Sequence, residues 1–310
     1  MSRKISHADI KLNYLCNNCC IHCNVSDVRE RIEKGGRGFQ PSTAEIVRKI
    51  TGFRNEGVEA ITLTGGEPTL RNDLVKIVRH ATGLGMFIGI QTNARALSYL
   101  KRAQIFARFG AHFVVSVHGS RRDIHDSITG VAGSFQQTEQ GLFNLLSLGC
   151  SVSANCVVSR RNMGDLVETA GHFHSMGVNR INFVFPQITG NALLFFDDVV
   201  PGFPELKEEI AALIDFADGR HGALIMKFHN FPLCTINGRV DLSPDGDLKN
   251  VESRLKNLNL EERNWGDDKR NELKTKFVKC GACAHSGTCE GVWKEYASKF
   301  GEEAFIPFSS

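Results

Sequence analysis

The chain has 310 residues, 42% hydrophobic and 23% charged, which supports a sizeable buried core and excludes disordered, collagen-like and coiled-coil classes. Thirty-seven Lys and Arg against 34 Asp and Glu leave a net charge of +3, too small to argue for nucleic acid or an anionic membrane as a partner. No apolar run reaches the roughly 18–20 residues of a membrane span, and the opening MSRKISHADIKLNYLC lacks the succession of a signal peptide, so a cytoplasmic protein is expected.

The first β-branched run, residues 10–15, reads as a strand and leads straight into CNNCCIHC, where Cys16, Cys20 and Cys23 follow a C-x3-C-x2-C spacing with Cys19 extra. Ser42 and Glu45 then form an S-x-x-E capping box ahead of Ile46, Val47 and Ile50 at helical spacing, and Gly57 supplies a stop. Residues 58–64 read as a second strand ending in Thr64-Gly65-Gly66-Glu67-Pro68. Helical stretches at 70–82, 99–109, 135–148 and 165–176 alternate with strand-like runs at 87–91, 113–117, 152–158 and 181–185, most helices ending at a glycine (83, 110, 149, 177). Six βα units predict a parallel sheet with right-handed crossovers, and six are fewer than the eight that close a barrel in about 250 residues. The expected fold is therefore α/β, a partial (β/α)6 TIM-like barrel over residues 1–225, with 205–218 as a connecting helix. From 226 to 310 the composition turns polar and charged, which reads as a small C-terminal extension.

Three thiolates on one loop at the carboxyl end of a strand can hold three irons of a cubane and leave the fourth iron open to a substrate or cosubstrate. Zinc accepts the same ligands, with His22 or Cys19 as a nominal fourth. The glycines of the Gly65-Gly66-Glu67-Pro68 turn would let a ligand approach the backbone, and Glu67 would offer an anionic acceptor at the same mouth.

Together, C-x3-C-x2-C and the G-G-E-P turn one unit downstream resemble the radical S-adenosylmethionine (SAM) superfamily over residues 8–190. The resemblance implies a [4Fe-4S] cluster on Cys16, Cys20 and Cys23 whose open iron binds SAM, with Cys19 as a bystander. It further implies reductive cleavage of SAM to a 5′-deoxyadenosyl radical and abstraction of a substrate hydrogen atom. By the same resemblance, His22 lies where relatives place an aromatic residue against adenine, and Gly65, Gly66, Glu67 and Pro68 match the loop that contacts the SAM amino group. Asn93, Ser116 and His118 occupy places where relatives contact ribose, methionine or substrate. Asn155, Arg160 and Val184 are weaker candidates for the carboxylate and adenine ends. The segment around His125, Asp126, Gly133, Ser134 and Phe135 looks familial as well, and shaping a loop and a helix start would account for it. A reducing electron donor such as flavodoxin or ferredoxin is implied as a partner.

Cys280, Cys283 and Cys289 read C-x2-C-x5-C, and Cys234 would complete four ligands for zinc or a fully ligated [4Fe-4S] cluster. This tail resembles a shortened SPASM extension of the Twitch kind, which implies a second, auxiliary [4Fe-4S] cluster for electron relay or structure. Cys156, on the fifth strand, is a candidate hydrogen donor if it faces the lumen; otherwise it is a small buried hydrophobe. The leading functional expectation is maturation of a ribosomally made peptide by crosslinking or epimerisation. With only 15 residues before Cys16, no leader-recognition domain is expected there, which counts against the peptide reading. The alternatives are a radical dehydrogenase or epimerase of a small metabolite such as a sugar or cyclitol, and a non-catalytic zinc or iron–sulfur module.

Overall fold

The computed structural model describes residues 5–34, 41–244, 251–256 and 262–309. Each of the six strand-like runs overlaps a strand: β1 (Ile5–Asn13), β2 (Ala60–Gly65), β3 (Phe87–Thr92), β4 (His112–Ser116), β5 (Ser151–Val157) and β6 (Arg180–Val184). Three more join the same sheet, β7 (Ile225–His229), β8 (Val251–Lys256) and β9 (Glu262–Asn264). The order is β7-β6-β5-β4-β3-β2-β1-β8-β9, parallel throughout except for β9 against β8. This is the expected α/β partial barrel, with seven rather than six strands in the βα succession. β7 escapes a hydropathy reading because Lys227 and His229 interrupt its apolar run, and β8 because it lies in the charged segment after residue 249. The division expected after residue 225 falls inside β7, so the barrel and the tail share one sheet.

Helices α1 (Ser26–Glu33), α2 (Thr43–Asn55), α3 (Leu74–Gly83), α4 (Leu100–Ala107), α5 (Arg122–Thr129), α6 (Ser134–Ser147) and α7 (Leu166–Ser175) fill the connections. Two single turns, α8 (Asn191–Leu194) and α9 (Phe196–Val199), precede α10 (Phe203–Asp218). The Ser42–Glu45 capping box forms at the start of α2. α3 runs through Gly83, and the left-handed stop comes two residues later at Gly85, with φ of 69°.

Side chains alternate across the sheet. One face, with Ile10, Leu63, Ile90, Val115 and Phe183, packs with Ile50, Phe53, Leu142 and Phe173 of the helices into the main core. The opposite face is polar and only half-buried at Asp9, Lys11, Thr62, Ser116, Asn155 and Asn182. The tail is pinned by Tyr296 of the terminal helix Lys294–Phe300. Its ring is fully buried beside Phe185, Phe203 and Phe305, and its hydroxyl accepts a hydrogen bond from Phe203 N at 2.8 Å. Among the described residues no helix is long and apolar enough to cross a membrane.

Candidate functional site

The loop after β1 is anchored from three directions through its main chain and its asparagines. At the end of α5, Cys19 N donates to Thr129 O at 2.8 Å and Ile21 N to Ile128 O at 2.9 Å. Asn191, opening α8, donates its N–H to Cys23 O at 2.9 Å and its Nδ2 to Cys20 O at 2.8 Å. Arg95, following β3, donates to Asn17 O and, at 2.7 Å, to Asn18 Oδ1. Cys16, Cys20 and Cys23 are partly buried, whereas Cys19 is exposed with Arg29 Nη2 3.5 Å from its sulfur. Burial pushes the Cys16 thiol up to about 11 and raises those of Cys20 and Cys23 as well. Such thiols stay protonated at neutral pH until a bound metal supplies the charge that lets them ionise. Asn18 N and Asn93 Nδ2 already stand 3.4 and 3.9 Å from Cys16 Sγ, where N–H···S bonds favour the thiolate.

The G-G-E-P turn has a different reason from the one its sequence suggests. A Cβ on Gly65 would lie 2.2 Å from Asn13 O, and one on Gly66 would lie 2.1 Å from Leu15 O. Gly66 N and Glu67 N donate to those same carbonyls at 2.8 and 2.7 Å. The glycines are required at least because two stretches of backbone meet there. Pro68 is buried and opens the 3-10 turn Pro68–Leu70.

Glu67 corrects the sequence reading as well, since its carboxylate does not face the mouth. It is 1% exposed and accepts from Thr69 N (3.0 Å), Thr69 Oγ1 (2.6 Å), Thr92 Oγ1 (2.7 Å) and Asn93 N (2.7 Å). Burial raises its pKa and these bonds draw it back. Asn93 thus touches both Glu67 and Cys16.

Three buried ring nitrogens beside the cysteine loop have no hydrogen-bond partner: His22 Nδ1, His118 Nδ1 and His125 Nε2. The His22 and His118 ring centroids are 4.6 Å apart, and those of His118 and His125 5.7 Å. His125 Nδ1 accepts from His118 N at 3.2 Å, which places the His125 proton on Nε2. Burial pushes His22 and His125 down to about 4 and His118 well below its usual range, so all three are neutral at pH 7. An unpaired buried polar atom costs about 1–3 kcal/mol, and three together mark a place that a polar ligand would complete. The fit to a cofactor with a polar, planar end is therefore good. His125 was not among the ligand candidates. Its neighbour Asp126 does shape a helix start, accepting from Gly133 N, Ser134 Oγ and Phe135 N at 2.6–2.8 Å.

Ser116 and Asn155 face each other across β4 and β5 on the polar side of the sheet. Val184 stands opposite Val157 and His229, and its carbonyl accepts from Val158 N at 2.9 Å. Arg160 is corrected, because both terminal nitrogens bind the Glu205 carboxylate on α10, one of them at 2.9 Å, which leaves that fork no room for a cofactor carboxylate. Cys156 is corrected too. It is fully buried on the helix-covered face, opposite in direction to Asn155 and in register with Phe183, so its thiol cannot reach a substrate in the lumen.

In the tail, Cys234, Cys280, Cys283 and Cys289 line one pocket together with Phe277, Val292 and Phe305. Burial, followed by the neighbouring Cys289 and Cys280, pushes the Cys234 thiol up to about 12. Among the described residues, Cys20, His22 and His118 form a group of three ligand side chains whose donor atoms all lie within 4.8 Å of one another.

Comparisons with known proteins agree with this arrangement. The family model of the radical SAM superfamily matches residues 10–173. A "Probable GTP 3',8-cyclase" of Saccharolobus islandicus (strain M.14.25 / Kamchatka #1) is 27% identical over 293 residues, covering 87% of this chain and 92% of the relative. A "PqqA peptide cyclase" of Rhodopseudomonas palustris is 29% identical over 209 residues, covering 66% of this chain and 54% of the relative. The crystal structure of Streptococcus suis SuiB bound to precursor peptide SuiA shares the fold with a TM-score of 0.68 at 14% identity, covering 94% of this chain and 72% of that one.

Proposed function

The chain belongs to the radical SAM superfamily, an enzyme family that uses SAM and a [4Fe-4S] cluster, and from that membership we propose that it modifies a residue of a ribosomally made peptide. Cys16, Cys20 and Cys23 hold the cluster, and Cys19, paired with Arg29 at the surface, stays outside it. When bound there, the cluster would supply an electron for the reductive cleavage of SAM and so a radical able to abstract a hydrogen atom from substrate. His22 and His118 receive the polar edge of the nucleoside, the 65–68 loop and Asn93 border its methionine end, and Ser116, Asn155 and Val184 flank the lumen beside it. The observation that carries the reading is the anchoring of the cysteine loop, whose main chain is tied to α5, Asn191 and Arg95 while its three thiols form no disulfide.

The tail cysteines hold an auxiliary [4Fe-4S] cluster rather than zinc. The four thiols line one pocket, and the likeness of the C-x2-C-x5-C segment to a shortened SPASM extension supports a cluster there. Flavodoxin or ferredoxin is the reductant.

A peptide is favoured as substrate by the polar face of the sheet, where Ser116, Asn155 and Asn182, beside the charged Asp9 and Lys11, offer donors and acceptors to main-chain amides. A small metabolite is the second reading, favoured by the match to a nucleotide cyclase that spans 87% of this chain. Anaerobic reconstitution should give about eight irons per chain, two cubanes' worth, and 5′-deoxyadenosine with reductant. Cys16→Ser should abolish SAM cleavage, while Cys280→Ser should halve the iron and leave SAM cleavage in place. Loss of two hydrogens, or deuterium incorporation, in a peptide encoded beside the gene supports the first reading. Turnover of a small metabolite with inert peptides would replace it by the second, and zinc without SAM cleavage would sink both.

A further inference from the structure

We propose that, in the cluster-free chain, Cys20, His22 and His118 hold one divalent metal ion of borderline softness, zinc foremost. Cys20 and His22 lie on the loop after β1 and His118 just beyond β4, so the ion would join two loops at the mouth of the barrel. Their donor atoms already lie within 4.8 Å of one another. With zinc–nitrogen and zinc–sulfur distances of about 2.0–2.3 Å, tetrahedral ligands stand about 3.5 Å apart, so a closure on the order of 1 Å completes the set. One thiol and two neutral imidazoles are donors that zinc takes readily, with the fourth position left to water.

The surroundings of the two histidines point the same way. His118 is 2% exposed, and its main chain is fixed on both sides, its N–H donating to His125 Nδ1 at 3.2 Å and its carbonyl accepting from Asn162 Nδ2 at 3.1 Å. A histidine serving only the core would pair its buried nitrogens, yet Nδ1 of His118 and Nδ1 of His22 have no partner. Zinc binding would displace the Cys20 thiol proton to solvent, and no electron is transferred. Cys20 is also one of the thiols assigned to the SAM cluster, so on that reading ion and cluster exclude each other. The ion then keeps the loop folded until iron and sulfide displace it. The metal site itself does not depend on that assignment.

Anaerobic titration of the cluster-free protein with Co2+ tests the site, because d–d bands report tetrahedral ligation and their position reports the ratio of sulfur to nitrogen. His118→Ala and His22→Ala should each lose one equivalent of bound cobalt with mixed sulfur–nitrogen ligation, while Cys16→Ser keeps it. Any cobalt held by the four tail thiols is unaffected in all three. A circular dichroism spectrum and melting midpoint close to the parent's identify which histidine variant is folded, and either one suffices. Unchanged cobalt binding in a folded histidine variant overturns the proposal. So does equal loss in Cys16→Ser, which would place the ion among the thiols. Iron and acid-labile sulfide in the same variants report on the cluster separately. A chain that binds cobalt through His118 yet assembles no cluster keeps this site and loses the SAM reading. One that assembles the cluster and binds no cobalt through the histidines does the reverse.

Discussion

Thr92 Oγ1 donates a 2.7 Å hydrogen bond to Glu67 Oε1 and so ties the loop after β2 to the end of β3. Two main-chain N–H groups and the Thr69 hydroxyl fill the rest of that carboxylate, so Glu67 acts as a buried clamp behind the cysteine loop. Glu67→Gln turns an amide NH2 toward donors and should cost about 1–3 kcal/mol, read as a lower urea midpoint of the cluster-free chain. Thr92→Val removes one bond and should cost about 1 kcal/mol. A Glu67→Gln protein with parental stability but lost SAM binding would mean that the carboxylate faces the cofactor after all.

Gly66 is the tightest point of the same turn. An alanine Cβ there would sit 2.1 Å from Leu15 O and 2.7 Å from Tyr14 C, closer than any contact a side chain tolerates. Since those atoms are backbone, the chain leading into Cys16 must move. Gly66→Ala should therefore lose iron from the first site while the four-cysteine tail keeps its own, leaving about half the parent's iron. Full iron content with normal SAM cleavage would show that the loop can yield.

How much of this was legible beforehand depends on the range of the interaction. The β-branched runs, the Ser42–Glu45 cap and the cysteine spacings are local and could be read directly. β7 could not, because Lys227 and His229 line a polar sheet face and so carry no apolar signature. The direction of Cys156 was undetermined for a similar reason: alternation places it opposite Asn155 but does not say which face the helices cover. Arg160 was read as free for a ligand because Glu205, 45 residues away, approaches it only in the fold. Glu67 was legible as important and misread in role, since its four donors come from the turn at Thr69 and from Thr92 and Asn93 at the end of β3, 25 residues away.

Lys269 and Lys274 both place Nζ 2.8 Å from Glu290 Oε2, with the three side chains 7%, 1% and 7% exposed. Burial would raise the Glu290 pKa, but Lys274 and Lys269 outweigh it and hold the carboxyl below its ordinary value. Removing the carboxylate leaves two buried ammonium groups without this partner, and Glu290→Gln should cost about 3–5 kcal/mol. Because the group is shielded from solvent, added salt should not narrow the gap between variant and parent in urea unfolding. A gap that closes in salt would mark a surface pair instead. Glu290 follows Cys289, so the variant should also release tail iron before the first site does.

His229, on β7 near these lysines, has a pKa pushed down to about 4 from 6.5 by burial first and then by Lys269 and Lys227, with Glu290 opposing. In the unfolded chain the ring takes up a proton near 6.5, and in the folded chain only near 4. Its contribution to stability is thus complete above pH 6.5 and is lost as pH falls from 6.5 toward 4. At pH 5 the penalty would be about 2 kcal/mol for a fully buried ring, and about 1 kcal/mol for one that keeps some solvent contact. His22, His118 and His125 shift in the same direction, so the informative quantity is the difference between His229→Asn and the parent. Urea midpoints of the cluster-free proteins at pH 7 and pH 5 should show the variant losing less stability on acidification, by about 1 kcal/mol. Equal losses would mean that the His229 ring is solvated and titrates as it does in the unfolded chain.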